Sequence, residues 1–348
     1  MKQNKIDKLL DYINQNNYQD YYSPRIDSLL LVKNGYIVLE EYFYSYNENR
    51  THRLYSVTKS ITSALTGIAI REGFINSINQ PVLDFFPEVI TPEMNPKKHN
   101  ITIEHLLTMT AGLYWSDDFE MMPIMGSKRN PYAYVLEQNL IHEPGTFFQY
   151  SSGLTHVLAG IIHRSSGMFL SDFAEEYLFN FIGIDHYYWP TDRTGNNFGG
   201  SDIYLRPRDM ARFGYLYLQN GSWDRKQIVP KEWIENSTRL QIDLSGYFQD
   251  LDYGWLWNII PTSDRQAYTA MGHRGQFITV LPDDKAVLTF TGDFIGSYSF
   301  IFELMYDYIF PILNEALKSG FPFNIAIFAI LLEATLIVIW RKRKNRAV

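Results

Sequence analysis

The strand-forming segments of this chain lie at its two ends, and the stretch between them reads as helix. Near the start, Ser28–Val32 and Tyr36–Tyr44 flank Asn34-Gly35, the dipeptide best suited to a two-residue hairpin turn. Near the finish, Tyr253–Ile259, Gln276–Leu281 and Ala286–Thr291 have strand character, the last two joined by Pro282-Asp283-Asp284-Lys285. Between them, helical spacing runs from Ser56 to Glu72 and recurs near 103–109, 132–140, 153–165, 171–180 and 207–219, separated by punctuation such as Glu143-Pro144-Gly145. This order implies a sheet assembled from non-contiguous segments with a helical region inserted into it. The expectation is an α/β (α+β) layer plus an all-helical region, with a cleft where they meet.

The termini add two further elements. Ile6, Leu9, Leu10 and Ile13 fit one face of a short amphipathic helix, while Met1–Tyr22 carries Lys2, Lys5, Asp7, Lys8 and Asp11 and no apolar core of a secretory signal. Leu304–Leu317 reads as a closing helix that Pro311 should kink or divide. Phe321 to Trp340 is an apolar run interrupted only by Pro322, Asn324, Glu333 and Thr335, and Arg341, Lys342, Arg343, Lys344 and Arg346 follow it. A helix of that length spans a bilayer core of ~30 Å. The basic stop favours a transmembrane helix with a cytoplasmic tail and the body outside, over a core helix of the body. Glu333 near mid-span is the objection, unless it is protonated or paired. A body exported without a leader needs a start upstream, export through the tail, or retention in the cytoplasm, so the side of the membrane stays open. The expected division is 1–24 as N-terminal helix and lead-in, 25–318 as the main domain, and 319–348 as membrane helix and basic tail. The net charge of −7 includes +5 in that tail, leaving −12 for the rest. So acidic a body should repel nucleic acid.

The chain has no cysteine, which excludes thiolate zinc sites, iron–sulfur ligation and thiol nucleophiles. No cofactor or metal is expected. Three segments offer other chemistry. Ser56-Val57-Thr58-Lys59 begins a helix, where residues three apart share a face and free N–H groups suit an oxyanion. A lysine partly desolvated in a cleft can take the serine proton. The plain alternative is an N-cap serine with a solvated lysine, and Ser-x-x-Lys alone does not decide between them. Glu143-Pro144-Gly145 leads to Tyr150-Ser151-Ser152, where Tyr150 is either a core aromatic or, beside an ammonium, a proton relay. Gly272-His273-Arg274-Gly275-Gln276 enters a strand, where a glycine on an edge lets a substrate backbone approach; the plain alternative is a turn with a solvated cation.

In this order the three segments resemble the serine β-lactamase and penicillin-binding superfamily, in its class C-like branch with esterases and D-amino-acid peptidases. That branch converges Ser-x-x-Lys, Tyr-x-Asn/Ser and Lys/His-x-Gly on one cleft. Ile101–Leu113, Leu205-Arg206-Pro207-Arg208-Asp209-Met210-Ala211-Arg212-Phe213-Gly214 and Tyr253-Gly254-Trp255 also look like the family, and the resemblance covers roughly residues 25 to 310. It implies a β-lactamase/transpeptidase-like fold with an antiparallel sheet. It also implies that Ser56 is the nucleophile, Lys59 its proton acceptor or electrostatic partner, and Tyr150 the shuttle to the leaving group. The oxyanion hole would be the N–H groups of Ser56 and Gln276, with Ser152, His273, Gly275 and Gln276 binding substrate. Two departures matter: Ser152 stands where many lactamases carry asparagine, and His273 stands where the family carries a strand lysine. Esters, or small amides and D-peptides, therefore rank ahead of β-lactams as substrates of an acyl-enzyme hydrolase. The rival reading is a membrane-tethered sensor or scaffold that binds or acylates without turnover, and an inactive structural domain is the third. Tyr114-Trp115 and the 117–130 segment, with Met121, Met122 and Met125, are the expected pocket wall.

Overall fold

Strand β1 (Ile26–Lys33) is apolar on both of its faces, because helices cover the sheet on both sides. The computed structural model describes residues 3–20, 22–119, 130–245, 251–295 and 297–318. Within them β1 pairs with β2 (Tyr36–Tyr42) across the expected Asn34-Gly35 turn, where both residues take positive φ (52° and 83°). Two short strands, β3 (His52–Arg53) and β4 (Tyr204–Leu205), form a small antiparallel ribbon beside the nucleophile-bearing segment. A second ribbon, β5 (Ser222–Trp223) with β6 (Lys226–Gln227), is peripheral. The remaining strands are β7 (Asp252–Tyr253), β8 (Asn258–Ile259), β9 (Tyr268–Gly272), β10 (Gln276–Leu281) and β11 (Ala286–Gly292). The main sheet runs β2-β1-β11-β10-β9-β8-β7, antiparallel throughout, so the first strand of the chain lies against the last.

Strand alternation then sorts the core. Leu30, Val32, Ile278, Val280 and Val287 face the inserted helical region, with Val57, Ile61 and Leu65 of the helix Val57–Arg71 among their cluster. Leu29, Leu31, Phe277, Leu288 and Phe290 face the opposite layer, formed by Leu9 and Ile13 of the helix Gln3–Asn16 and by Leu304 and Ile309. Tyr12 stacks on Phe300 and Tyr308, joining the two terminal helices over the sheet. The helix Val57–Arg71 is buried from Val57 to Ala69, which makes it the spine of the helical region.

One expectation is corrected. Tyr253–Ile259 is not one strand but β7 and β8 around a turn in which Leu256 takes φ 62°. Its backbone bonds leave the sheet: Trp255 N–H donates to Ser237 and Leu256 N–H to Leu107, which buries Trp255 and Trp257 in the helical layer. The closing helix runs through Ser299–Glu303, a π-helical turn Leu304–Ile309 and Phe310–Lys318. Pro311 therefore sits in the first turn after the π segment, a position that tolerates its missing N–H. Among the described residues no helix is long and apolar enough to cross a membrane, and the expected span 321–340 lies outside them.

The stretch Leu205–Gly214 holds its own helix in place. Asp209, fully buried, accepts from Arg206 Nε and Arg212 Nη1 at 2.6 Å each, and Arg206 also reaches Asp185 at 2.7 Å. Asp209→Ala would leave the buried Arg212 beside an empty site, and a loss of about 3–5 kcal/mol in unfolding free energy is expected in urea titration.

Candidate active site

The turn into the helix Val57–Arg71 is strained at one residue. Tyr55 takes φ 46°, in the left-handed region that a non-glycine residue adopts only where surroundings enforce it. Its carbonyl accepts from Thr58 Oγ1 and from the N–H groups of Thr58 and Asp202, which fixes the bend. Ser56 is thereby set at the helix N-cap with no side-chain cap bond of its own. The hydroxyl serves Lys59 instead: Lys59 Nζ donates to Ser56 Oγ at 2.9 Å.

Lys59 is 2% exposed, so each donor on its amine needs an acceptor. The other two are Ser152 Oγ at 2.8 Å and Gly200 O at 2.7 Å. Gly200 reaches the lysine because it carries no side chain: a Cβ there would lie 2.5 Å from the Ser152 carbonyl oxygen. Ser152 opens the helix Ser152–Ser166, and its hydroxyl donates to Asp117 Oδ2 at 2.7 Å while its N–H donates to Asp117 Oδ1 at 2.9 Å. Tyr150, two residues earlier, presents its ring to Lys59 Nζ at 4.7 Å and remains 40% exposed. Expected Ser56, Lys59, Tyr150 and Ser152 thus meet around one amine, with Ser152 holding the lysine.

The third segment is rearranged. His273, Arg274 and Gly275 form the turn of the β9–β10 hairpin, with φ 64° at Arg274 and 91° at Gly275. Gly275 faces Phe294, whose ring would lie 2.7 Å from an added Cβ. Gln276 is fully buried, paired across the hairpin with Gly272, and its Nε2 donates to Gly292 O at 2.7 Å. Neither Gly275 nor Gln276 is among the residues that line the cleft. Gly272 and His273 border it in their place. Among the described residues the backbone N–H groups of Ser56 and His273 have no partner. Partial desolvation, with Arg274 and Arg53 nearby, pushes the His273 imidazole below its ordinary value of 6.5, although the residue is exposed at the cleft.

Ser56, Tyr150, Ser152 and His273 open onto one cleft of about 720 Å³, walled also by Tyr55, Phe148, Tyr253 and Tyr298. Asp117 and Asp118 of the expected 117–130 wall also line it, whereas Tyr114 and Trp115 are not among its lining residues. Met121, Met122 and Met125 lie outside the described residues. Reasoning from sequence missed Asp117 as a partner of Ser152, since 35 residues separate them; its one signal was the neighbouring Trp115, whose Nε1 donates to Asp117 Oδ1 at 2.5 Å. It also missed Gly200, from a loop otherwise marked only by glycine.

Comparison with known proteins identifies the family and the fold. The β-lactamase family profile matches residues 27–292. The 6-aminohexanoate-dimer hydrolase of Paenarthrobacter ureafaciens is 25% identical over 228 residues, 60% of this chain and 56% of that protein, so the chain spans little more than half the length of this relative. A Bacillus anthracis structure provisionally assigned as a 6-aminohexanoate-dimer hydrolase superposes with a TM-score of 0.76 at 24% identity, covering 90% of this chain and 83% of the other. A D-stereospecific amidohydrolase from Streptomyces gives 0.67 at 15% identity, covering 87% and 98%. These two structural likenesses speak for the fold.

The His273 environment makes a pH prediction. Its folded pKa lies below the unfolded value, so the unfolded chain binds the proton first and stability falls as pH drops through about 6.5. Thermal melts between pH 7.5 and 5.5 should show a smaller loss of Tm in His273→Gln than in the parent; equal losses would contradict the assignment.

Proposed function

The chain belongs to the β-lactamase family of hydrolases, and we propose that it cleaves small amides or esters through an acyl-enzyme on Ser56. The observation that carries this reading is the 2.9 Å contact between the buried Lys59 amine and the Ser56 hydroxyl on the floor of the cleft. In the proposed cycle the neutral amine of Lys59 takes the Ser56 proton as Oγ attacks the substrate carbonyl. The developing oxyanion is received by the N–H groups of Ser56 and His273, at the helix N-terminus and the hairpin turn. The C–N or C–O bond then breaks, and the leaving group departs with a proton delivered from Lys59 by way of the Tyr150 phenol. Water enters along the path vacated by the leaving group, gives its proton to the same base, and releases the acid with Ser56 restored.

Charge around the cleft supports a substrate preference. Asp117 and Asp118 line the cleft, Lys59 is buried beneath Ser56, and the His273 imidazole is held below its ordinary value. Such a field suits neutral or amine-bearing acyl compounds and disfavours the carboxylate of β-lactams. The amidohydrolase named among the structural neighbours is consistent with amides as one class. Ester turnover, measured with a p-nitrophenyl ester, should fall at least about a thousandfold in Ser56→Ala. The same variant should lose labelling by a fluorophosphonate. Stable labelling of Ser56 without turnover on esters, amides and D-alanyl peptides would instead favour the sensor reading.

We further propose that residues 321–340 tether this body to a membrane, on the strength of their apolar run and basic stop. Truncation after Lys318 should release the protein into the soluble fraction on cell lysis, and retention in the membrane pellet would overturn the tether.

A further inference from the structure

Lys59 has three hydrogen-bond neighbours, and they are not equivalent. The Gly200 carbonyl oxygen can only accept. Ser152 Oγ carries a proton, but that proton is committed to Asp117 Oδ2 at 2.7 Å, because a carboxylate offers no proton in return. Toward Lys59, therefore, Ser152 also acts only as an acceptor, at 2.8 Å. Ser56 is the one neighbour left with a proton to give. The ammonium donates to all three; once it has given up a proton, as the proposed cycle requires, its two remaining donors go to Gly200 and Ser152 and its lone pair faces Ser56.

We infer that Asp117 is a positioning residue that acts through Ser152 to aim the Lys59 lone pair at the Ser56 hydroxyl. The inference rests on the reading of Ser56 as nucleophile. The carboxylate is itself fixed in orientation, since Oδ1 accepts from Trp115 Nε1 at 2.5 Å and from the Ser152 N–H at 2.9 Å, which turns Oδ2 to the Ser152 hydroxyl. The other titratable group facing the amine is Tyr150, whose ring lies 4.7 Å away. An asparagine at 117 could place an N–H on Ser152 Oγ. Ser152 would then point its proton at Lys59, and the lone pair would rest on a hydroxyl that does not react.

The test is the rate of Ser56 labelling by a fluorophosphonate across pH, on the full chain, with Tm followed in parallel. Asp117→Asn should label at least about tenfold more slowly on the plateau. Its acid limb should also move to lower pH, since a negative charge one hydroxyl away from the ammonium has been removed. Ser152→Ala, which leaves Asp117 in place, should slow labelling similarly. The double variant should be no slower than Ser152→Ala alone, because both changes cut the same relay. Additive losses would mean that Asp117 acts on the reagent or substrate directly, and would overturn the inference. So would an Asp117→Asn protein that labels at the parent rate with the parent pH profile. A parent protein that takes no label on Ser56 at any pH overturns the nucleophile reading and the inference together, a result distinguishable from the other two.

Discussion

A lysine at 2% exposure has to be fully hydrogen-bonded, and much of the helical region is arranged around that demand at Lys59. Its three acceptors come from three places: the N-cap of its own helix, the first residue of the helix Ser152–Ser166, and a glycine loop that packs where a side chain would collide with backbone. Removing any one leaves a buried donor unsatisfied, at a cost of about 1–3 kcal/mol or more for a charged group. The same amine is the group that can accept the proton of Ser56. Stability and chemistry are therefore asked of one set of contacts, which ties the floor of the cleft to the packing of the helices.

The sheet supplies the opposite wall. Because β1 lies against β11, the two ends of the chain close one surface, and the β9–β10 hairpin carries His273 to the cleft. Here the site departs from the family pattern in charge. An imidazole held below its ordinary value stands where the resemblance puts a lysine, and two carboxylates line the cleft. This combination, beside the Ser56–Lys59 pair, underlies the proposed preference for amides and esters.

How much of this was legible in the chain differs from residue to residue. Ser56 and Lys59 were legible because their relation is local: three residues along a helix fixes their distance. The hairpin at Asn34-Gly35 was legible for the same reason, since the turn chemistry is contained in the two residues. At Gly275 two readings stayed open, because a glycine in a strand-like segment reads alike whether it serves a substrate or a turn, and the φ of 91° puts it in the turn. Tyr253–Ile259 read as one strand because its aromatic content suits either a strand or a core turn. The side that wins depends on Ser237 and Leu107, far away in sequence.

By itself, then, the sequence determined the order of strands and helices, the hydroxyl-and-amine pair at 56 and 59, and the absence of any thiol chemistry. These follow from periodicity, spacing and composition, which are properties of neighbours along the chain. The tertiary structure alone decided that Ser152 serves the lysine, that Asp117 hydrogen-bonds Ser152, that Gly200 completes the set, and that His273 lines the cleft while Gln276 does not. Each of these depends on distances of 2.7–2.9 Å between distant segments or on the solvent exposure of one ring. Burial and hydrogen-bond direction arise only when those segments are brought together.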